Sequence, residues 1–326
     1  MSIRVASLFR IASCTLLLGL LGSAAAQTYP TKPIHMVVPF AAGGSTDIIG
    51  RAVAIKMGEL LGQPIVMENI GGASTMIGAD RVAKSPSDGY TLLVATSTTF
   101  ATNPHLYKKM TYKIEDFAPI SLIAKSPLVL ALGLSIPAST LKDFVAYAKA
   151  RPGQLSYGTT GIGGNAHLTG AMVASALGIK MEAVPYKGSA PALTDVMGGS
   201  LPMHFDSAAT SLPLYRAGKI RVLAITSERR VEAAPEIPTF TELGYDVSIT
   251  TLIGLFAPAG TPTPIVQKLN ATLKRVLSDP DLLARFRPDA TIAEWTTPDN
   301  ELEQFKAAYV QAGKVIQSMG IQFSGK

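Results

Sequence analysis

The chain has 326 residues, 47% hydrophobic and 16% charged, with a formal charge of +6. That length allows two domains or three, and the apolar content excludes an intrinsically disordered chain. Aromatic residues at 7% with one Trp, and basic residues never running beyond a pair (Lys108-Lys109, Arg229-Arg230), exclude a nucleic-acid stripe and leave a mild attraction for small anions.

Arg4 and Arg10 precede an apolar run over 11–21, and Ser23-Ala24-Ala25-Ala26 supplies small residues before Gln27. This is the pattern of a secretory signal peptide occupying 1–26 and cleaved after Ala26. The run is too short to span a bilayer, and no later segment reaches the roughly 18–20 apolar residues that spanning needs. Ile11-Ala12-Ser13-Cys14 has the look of a lipoprotein box, but Arg10 stands directly before it. Cys14 is the only cysteine, so the exported chain is expected to have no disulfide, thiolate nucleophile or cysteine metal ligand.

From Ile34 onward, short apolar runs alternate with helical patterns. Strands are expected at 34–39, 65–68, 91–95, 120–124, 128–134, 181–184, 203–206, 221–226 and 249–257. One helix is expected over 45–61, with Gly62 ending it, and another between Ser139 and Pro152. The last helix has Thr297 as N-cap and Pro298 at its first turn. Its stripe is Leu302, Phe305, Tyr309, Ala312, Ile316 and Met319, with Gly320 as its end. Such alternation gives an α/β fold with mainly parallel sheets. Ser126-Pro127 interrupts two apolar runs, and the long runs at 128–134 and 249–257 suit either two crossovers between domains or two buried strands of one large sheet.

In open α/β sheets, ligands bind beyond the carboxyl ends of strands, where helix N-termini present free N–H groups. Three segments have that layout. The first runs from Val37 through Phe40-Ala41-Ala42-Gly43-Gly44 into Ser45-Thr46-Asp47, residues that could hold a ligand or merely cap the helix. The second is Gly158-Thr159-Thr160-Gly161-Ile162-Gly163-Gly164-Asn165-Ala166-His167. Its sixth fingerprint position is Ala166 and no acidic residue follows suitably, so it is an anion cradle rather than a dinucleotide loop. His167 there is either a ligand contact or a packing group. The third is Pro185-Tyr186-Lys187-Gly188-Ser189, with Lys187 as a ligand charge or a solvated rim residue. Asp206, at a strand end, could orient a water, select an N–H or cap a helix. No Gly-x-Ser-x-Gly elbow occurs, and His35, His105, His167 and His204 have no spacing that would hold zinc.

These loops, together with Glu68-Asn69, Asp88-Gly89-Tyr90, Asn103-Pro104-His105 and Ala257-Pro258-Ala259-Gly260-Thr261-Pro262, resemble the Bug/TctC family. These are the periplasmic solute-binding proteins of tripartite tricarboxylate transporters, and the likeness is collinear over the whole exported chain. The resemblance implies a type II periplasmic-binding-protein fold, in which two doubly wound α/β domains are joined by two crossover strands with a ligand cleft between them. Domain 1 would comprise 27–124 plus 252–326, and domain 2 would comprise 125–251. It further implies a periplasmic monomer that binds a small carboxylate (a di- or tricarboxylate, an aromatic acid or an acidic amino acid) and hands it to a permease of large and small subunits. No cofactor, metal, nucleic acid or catalysis is expected.

The ligand set expected from these loops is Phe40, Ala42, Gly43, Gly44, Ser45, Thr46 and Asp47 in the first. Thr159, Thr160, Gly161, Gly164, Asn165 and His167 come from the second, with Tyr186, Lys187, Asp206 and Ser97 beside them. Three positions depart from the family pattern. Asn69-Ile70-Gly71-Gly72 lacks the usual Arg after Asn, Leu252-Ile253-Gly254-Leu255 lacks a common Trp, and Leu168-Thr169-Gly170 lacks a common Glu. A secreted hydrolase or transferase with Asp47, Asp206 or His167 as general base, or a sensor using the same cleft, stays open at this point.

Overall fold

The computed structural model describes residues 29–318. The leader, its cleavage point and Cys14, and the helix end expected at Met319-Gly320, lie outside the described residues.

Strands β1 (Ile34–Val38), β2 (Ile65–Asn69) and β3 (Thr91–Thr96) are parallel, with β1 in the middle. β4 (Phe117–Leu132) then leads to a second parallel set, β5 (Leu155–Thr159), β6 (Met181–Pro185) and β7 (Met203–Ser207), with β5 in the middle. β8 (Arg221–Ile225) and the two-residue β10 (Ile292–Ala293) both pair with β4, and β9 (Thr250–Pro258) lies between β3 and β4.

The helices are α1 (Ser45–Leu61), α2 (Met76–Ala83), α3 (Asn103–Leu106), α4 (Leu141–Lys149), α5 (Asn165–Leu177) and α6 (Ser189–Gly198). α7 (Ala208–Arg216), α8 (Thr263–Val276), α9 (Pro280–Phe286) and α10 (Pro298–Ser318) follow. Apolar side chains cover each half of the sheet on both faces: Met36, Ile49 and Leu269 on one face of the first half and Phe100, Phe256 and Phe305 on the other. The second half has Phe144 and Phe205 on one face, Leu193 and Leu212 on the other.

The expectation of mainly parallel sheets holds only for the outer strands. β9 runs antiparallel to both β3 and β4, and β4 runs antiparallel to β7. A chain that leaves one half and returns must lay its outgoing and incoming strands side by side in opposite directions. β4 also corrects the expected break at Ser126-Pro127, which lies inside one strand of 16 residues. Residues 117–127 pair with β9, whereas residues 128–132 pair with β7. Proline deprives a ladder of an N–H, and Pro127 stands where β4 changes partners, with Leu128 N already bonded to Thr226 Oγ1 at 2.9 Å.

α10 begins as expected, with Thr297 accepting from Asn300 N at 3.3 Å. Its fourth residue, Glu301, is fully buried beneath the β4–β9 pair, against Gly254. Burial pushes its carboxyl well above the ordinary 4.5, and the nearby N–H groups of Ile120 and Leu255 offset this only partly. Folded chain therefore holds this proton more tightly than unfolded chain. The cost is absent below about pH 4.5 and grows as pH rises toward the folded-state value. Glu301→Gln is expected to raise the melting temperature by about 2–4 °C or more at alkaline pH, the effect of ~1 kcal/mol in a chain of this size. The difference should vanish in acid; a thermal melt series across pH checks both ends.

Candidate functional site

α1, α5 and α6 each start just beyond the carboxyl end of a strand, and each has glycine at its N-cap: Gly44, Gly164 and Gly188. None makes a side-chain cap bond. Their first N–H groups are thus left for other partners, and that of Asn165 already donates to Thr98 Oγ1 at 3.1 Å. The three helix starts meet at a cavity of about 50 Å³ between the two halves. Phe40, Gly44, Ser45 and Thr46 line it from the first half, Thr160 and Asn165 from the second. Its wall also takes Thr96, Thr98, Ser189, Phe205, Ser207, and Leu128 and Thr251 from the two long strands, and holds no charged residue. Thr96 Oγ1 is buried there and has no hydrogen-bond partner among the described residues. At roughly 10–15 Å³ per water, the space admits only a few water-sized groups.

Of the expected ligand set, Phe40, Gly44, Ser45, Thr46, Thr160 and Asn165 line this cavity. Several others shape its loops instead. Asp47 is buried, and its carboxylate accepts from Gly43 N at 2.9 Å, Asn69 Nδ2 at 3.0 Å and Arg51 Nε at 2.9 Å. Burial alone would raise its pKa, but these donors outweigh it and hold the group below the usual range. Asp47 and Asn69 therefore fix the first loop, Asn69 also donating to Phe40 O at 3.2 Å.

In the second loop, Thr159 turns its hydroxyl inward, donating to Gly161 O at 2.8 Å and accepting from Gly161 N at 3.1 Å. His167 Nδ1 accepts from Gly163 N at 2.9 Å, and burial lowers its pKa, so the ring is a neutral loop brace. Asp206 is buried, with Oδ2 accepting from Thr210 at 2.5 Å and Ser211 at 2.6 Å while His204 faces Oδ1. Ser97 Oγ accepts from Leu252 N at 2.9 Å and lines a larger cavity behind β9 rather than this one. Ala42 is exposed, and Gly161, Tyr186 and Lys187 line a separate cavity at the mouth of the cleft.

The two halves touch through these loops. Ala41 N donates to Lys187 O at 3.0 Å, Tyr107 Oη to Ile162 O at 2.8 Å and Asn165 N to Thr98 Oγ1 at 3.1 Å. Thr96 and Thr98 escaped the sequence reading although Thr96-Ser97-Thr98-Thr99 is a hydroxyl-rich run at a strand end, the signal that marked the other loops. Thr98–Thr102 forms a π-turn, a conformation that periodicity does not signal. Ser189, Ser207 and Thr251 sit singly at element ends, where nothing local separates a ligand-facing hydroxyl from a cap.

Residues 49–321 match the family model for the tripartite tricarboxylate transporter family receptor, TctC. Among solved structures, the periplasmic binding protein BugD is 34% identical with a TM-score of 0.88, covering 91% of this chain and 100% of that one. A Rhodopseudomonas palustris protein solved with adipate is 35% identical with a TM-score of 0.88, over 90% of this chain and 99% of that one. MatC of the same organism, solved with malate, is 30% identical with a TM-score of 0.84, over 88% of this chain and 100% of that one.

Gly188 gives a direct test of the seam. Its φ of 164° suits any residue, but a Cβ there would lie 3.1 Å from Ala41 N and Ala41 Cβ, across the interface. Gly188→Val is expected to leave folding cooperative while weakening ligand binding by about tenfold or more, read by calorimetric titration beside a thermal melt.

Proposed function

The chain belongs to the tripartite tricarboxylate transporter receptor family and has the type II periplasmic-binding-protein fold; from that membership we propose that it captures a small carboxylate by hinged closure of its two halves. One observation carries this reading. Three helix N-termini without side-chain caps, drawn from both halves, converge on a cavity whose wall carries no formal charge. A helix N-terminus favours an anion by about 0.3–1 kcal/mol, and up to ~2 kcal/mol when partly buried. Three of them, joined by hydroxyl donors, offset the desolvation of one carboxylate without an arginine. Because the donors come from both halves, only the closed arrangement offers them together, and binding selects it.

The relatives solved with adipate and malate support a carboxylate as the ligand class. The further steps of the proposal are export through a leader ending at Ala26, work in the periplasm as a monomer, and delivery to a membrane permease of large and small subunits. The domain partition 27–124 plus 252–326 and 125–251 goes with it; β4 changes sheet partners between Pro127 and Leu128, close to that boundary. Binding rather than catalysis fits the roles of Asp47, His167 and Asp206, since each would-be base is engaged within its own loop or core.

A thermal-shift panel of mono-, di- and tricarboxylates, aromatic acids and acidic amino acids on refolded protein tests the reading. An acid at about 100 times its Kd adds roughly 2.7 kcal/mol of stability, and the acid should be recovered unaltered after long incubation. Thr46→Val combined with Asn165→Ala should weaken binding by about tenfold or more. No shift with any carboxylate, or conversion of the acid, would overturn it.

A further inference from the structure

Within the apolar stripe of α10, Phe305, Ala312 and Ile316 are buried, whereas Tyr309 is 40% exposed. Tyr309 borders a cavity of about 370 Å³ in the first half, between α10 and the chain on either side of α3. No residue lining it lines the cleft cavity, the mouth cavity or the one behind β9. Phe100, Tyr112, Phe305 and Tyr309 give it aromatic walls, to which Met110 and Ile114 add. An apolar cavity of about 150 Å³ admits a benzene ring, so this one has room for two fused rings.

These walls are fixed from behind. Phe100 stands edge to face with Tyr112, Phe117, Phe256 and Phe305 at 4.9–6.0 Å between ring centroids. Tyr112 Oη donates to Thr99 O at 3.0 Å, so the ring is what Tyr112 offers the cavity. His105 stacks on Tyr309 with centroids 4.0 Å apart and donates from Nε2 to Tyr309 O at 2.8 Å. Rings already held in this way lose little freedom when another ring packs against them, and edge-to-face contact is the geometry they favour. The charges sit at the rim. Lys113 and Lys306 come from different elements, are exposed, and form no ion pair among the described residues. Asp116, in the same turn as Lys113, is turned to Lys113 N at 2.9 Å. Glu115 is the one acidic residue of the lining, which leaves one positive charge in excess. A ligand could therefore bury its rings while its charge stays hydrated beside the two ammonium groups.

We propose that this cavity is a second ligand site, for a fused-ring aromatic monoanion whose rings lie among Phe100, Tyr112, Phe305 and Tyr309 and whose charge faces Lys113 and Lys306. It stands apart from the carboxylate reading of the cleft. The test titrates naphthalenesulfonate and its neutral sulfonamide by calorimetry into wild type, Lys306→Glu, Glu115→Gln, Tyr309→Ala and the cleft variant Thr46→Val with Asn165→Ala. Wild type should bind the anion several-fold more tightly than the sulfonamide. Lys306→Glu should weaken the anion several-fold and Glu115→Gln should strengthen it, while sulfonamide affinity stays as in wild type. Both are exposed positions, and the opposite signs of the two effects separate charge recognition from loss of the fold. Tyr309→Ala should weaken both probes, and the cleft variant should change neither. No binding by wild type, equal affinity for the two probes, or an affinity unmoved by Lys306→Glu and Tyr309→Ala overturns the site. Binding lost in the cleft variant but kept in Tyr309→Ala overturns it as well, by placing the probe in the cleft. Failure of carboxylate capture in the cleft would show in the thermal-shift panel and leave these outcomes unchanged.

Discussion

The first turn of a helix carries N–H groups that the helix itself cannot satisfy, and in α1, α5 and α6 the position that would supply a capping side chain is glycine. That choice forces much of what surrounds the cleft. An uncapped helix start is poorly fixed unless its loop is held by other means, and here the holding groups are polar side chains turned away from the cavity. Asp47 gathers Gly43, Asn69 and Arg51. Thr159 closes its own turn on Gly161, and His167 accepts from Gly163. The side chains richest in charge or proton chemistry thus brace loops, and the backbone is left to meet the ligand.

The same constraint sets the seam between the halves. Backbone donors serve a buried anion only if the two loop sets come close, and close approach leaves little room for side chains. At Gly161 a Cβ would press on Ser74, and at Gly188 on Ala41. Ala41 N to Lys187 O, and Tyr107 Oη to Ile162 O, then join the loops directly. Leu106, Leu168, Ala312 and Ile316 add an apolar contact that spans α3, α5 and α10.

Much of this was legible in the sequence because it is written in local patterns. The strand–glycine–helix order of 37–47, 156–167 and 184–191 located the helix starts. What stayed hidden depends on tertiary placement. Asp47, His167 and Asp206 read as ligand or base residues from their position at strand ends, but direction within a loop is set by partners such as Asn69, Gly163 and Thr210, distant or unmarked in sequence. Pro127 read as a strand break because its tolerance comes from β4 exchanging partners, which no local window contains. Glu301 stands outside the apolar stripe expected for the last helix. Its burial follows from Gly254 on the opposing strand, which leaves the space a side chain would fill. Ala73-Ser74-Thr75 carries no glycine to announce its left-handed backbone; Asn103 imposes it from the next element.

The central claim is that an acid is held by donors from both halves at once, so binding and closure are one event. Cys14 is the only cysteine in the sequence, and Lys84 and Lys180 are exposed on opposite halves. Spin labels at Lys84→Cys and Lys180→Cys in protein lacking the leader would report the distance between them by double electron–electron resonance. A saturating acid should collapse a broad or longer distribution into a single shorter distance. The same distribution with and without an acid that demonstrably binds would contradict capture by closure.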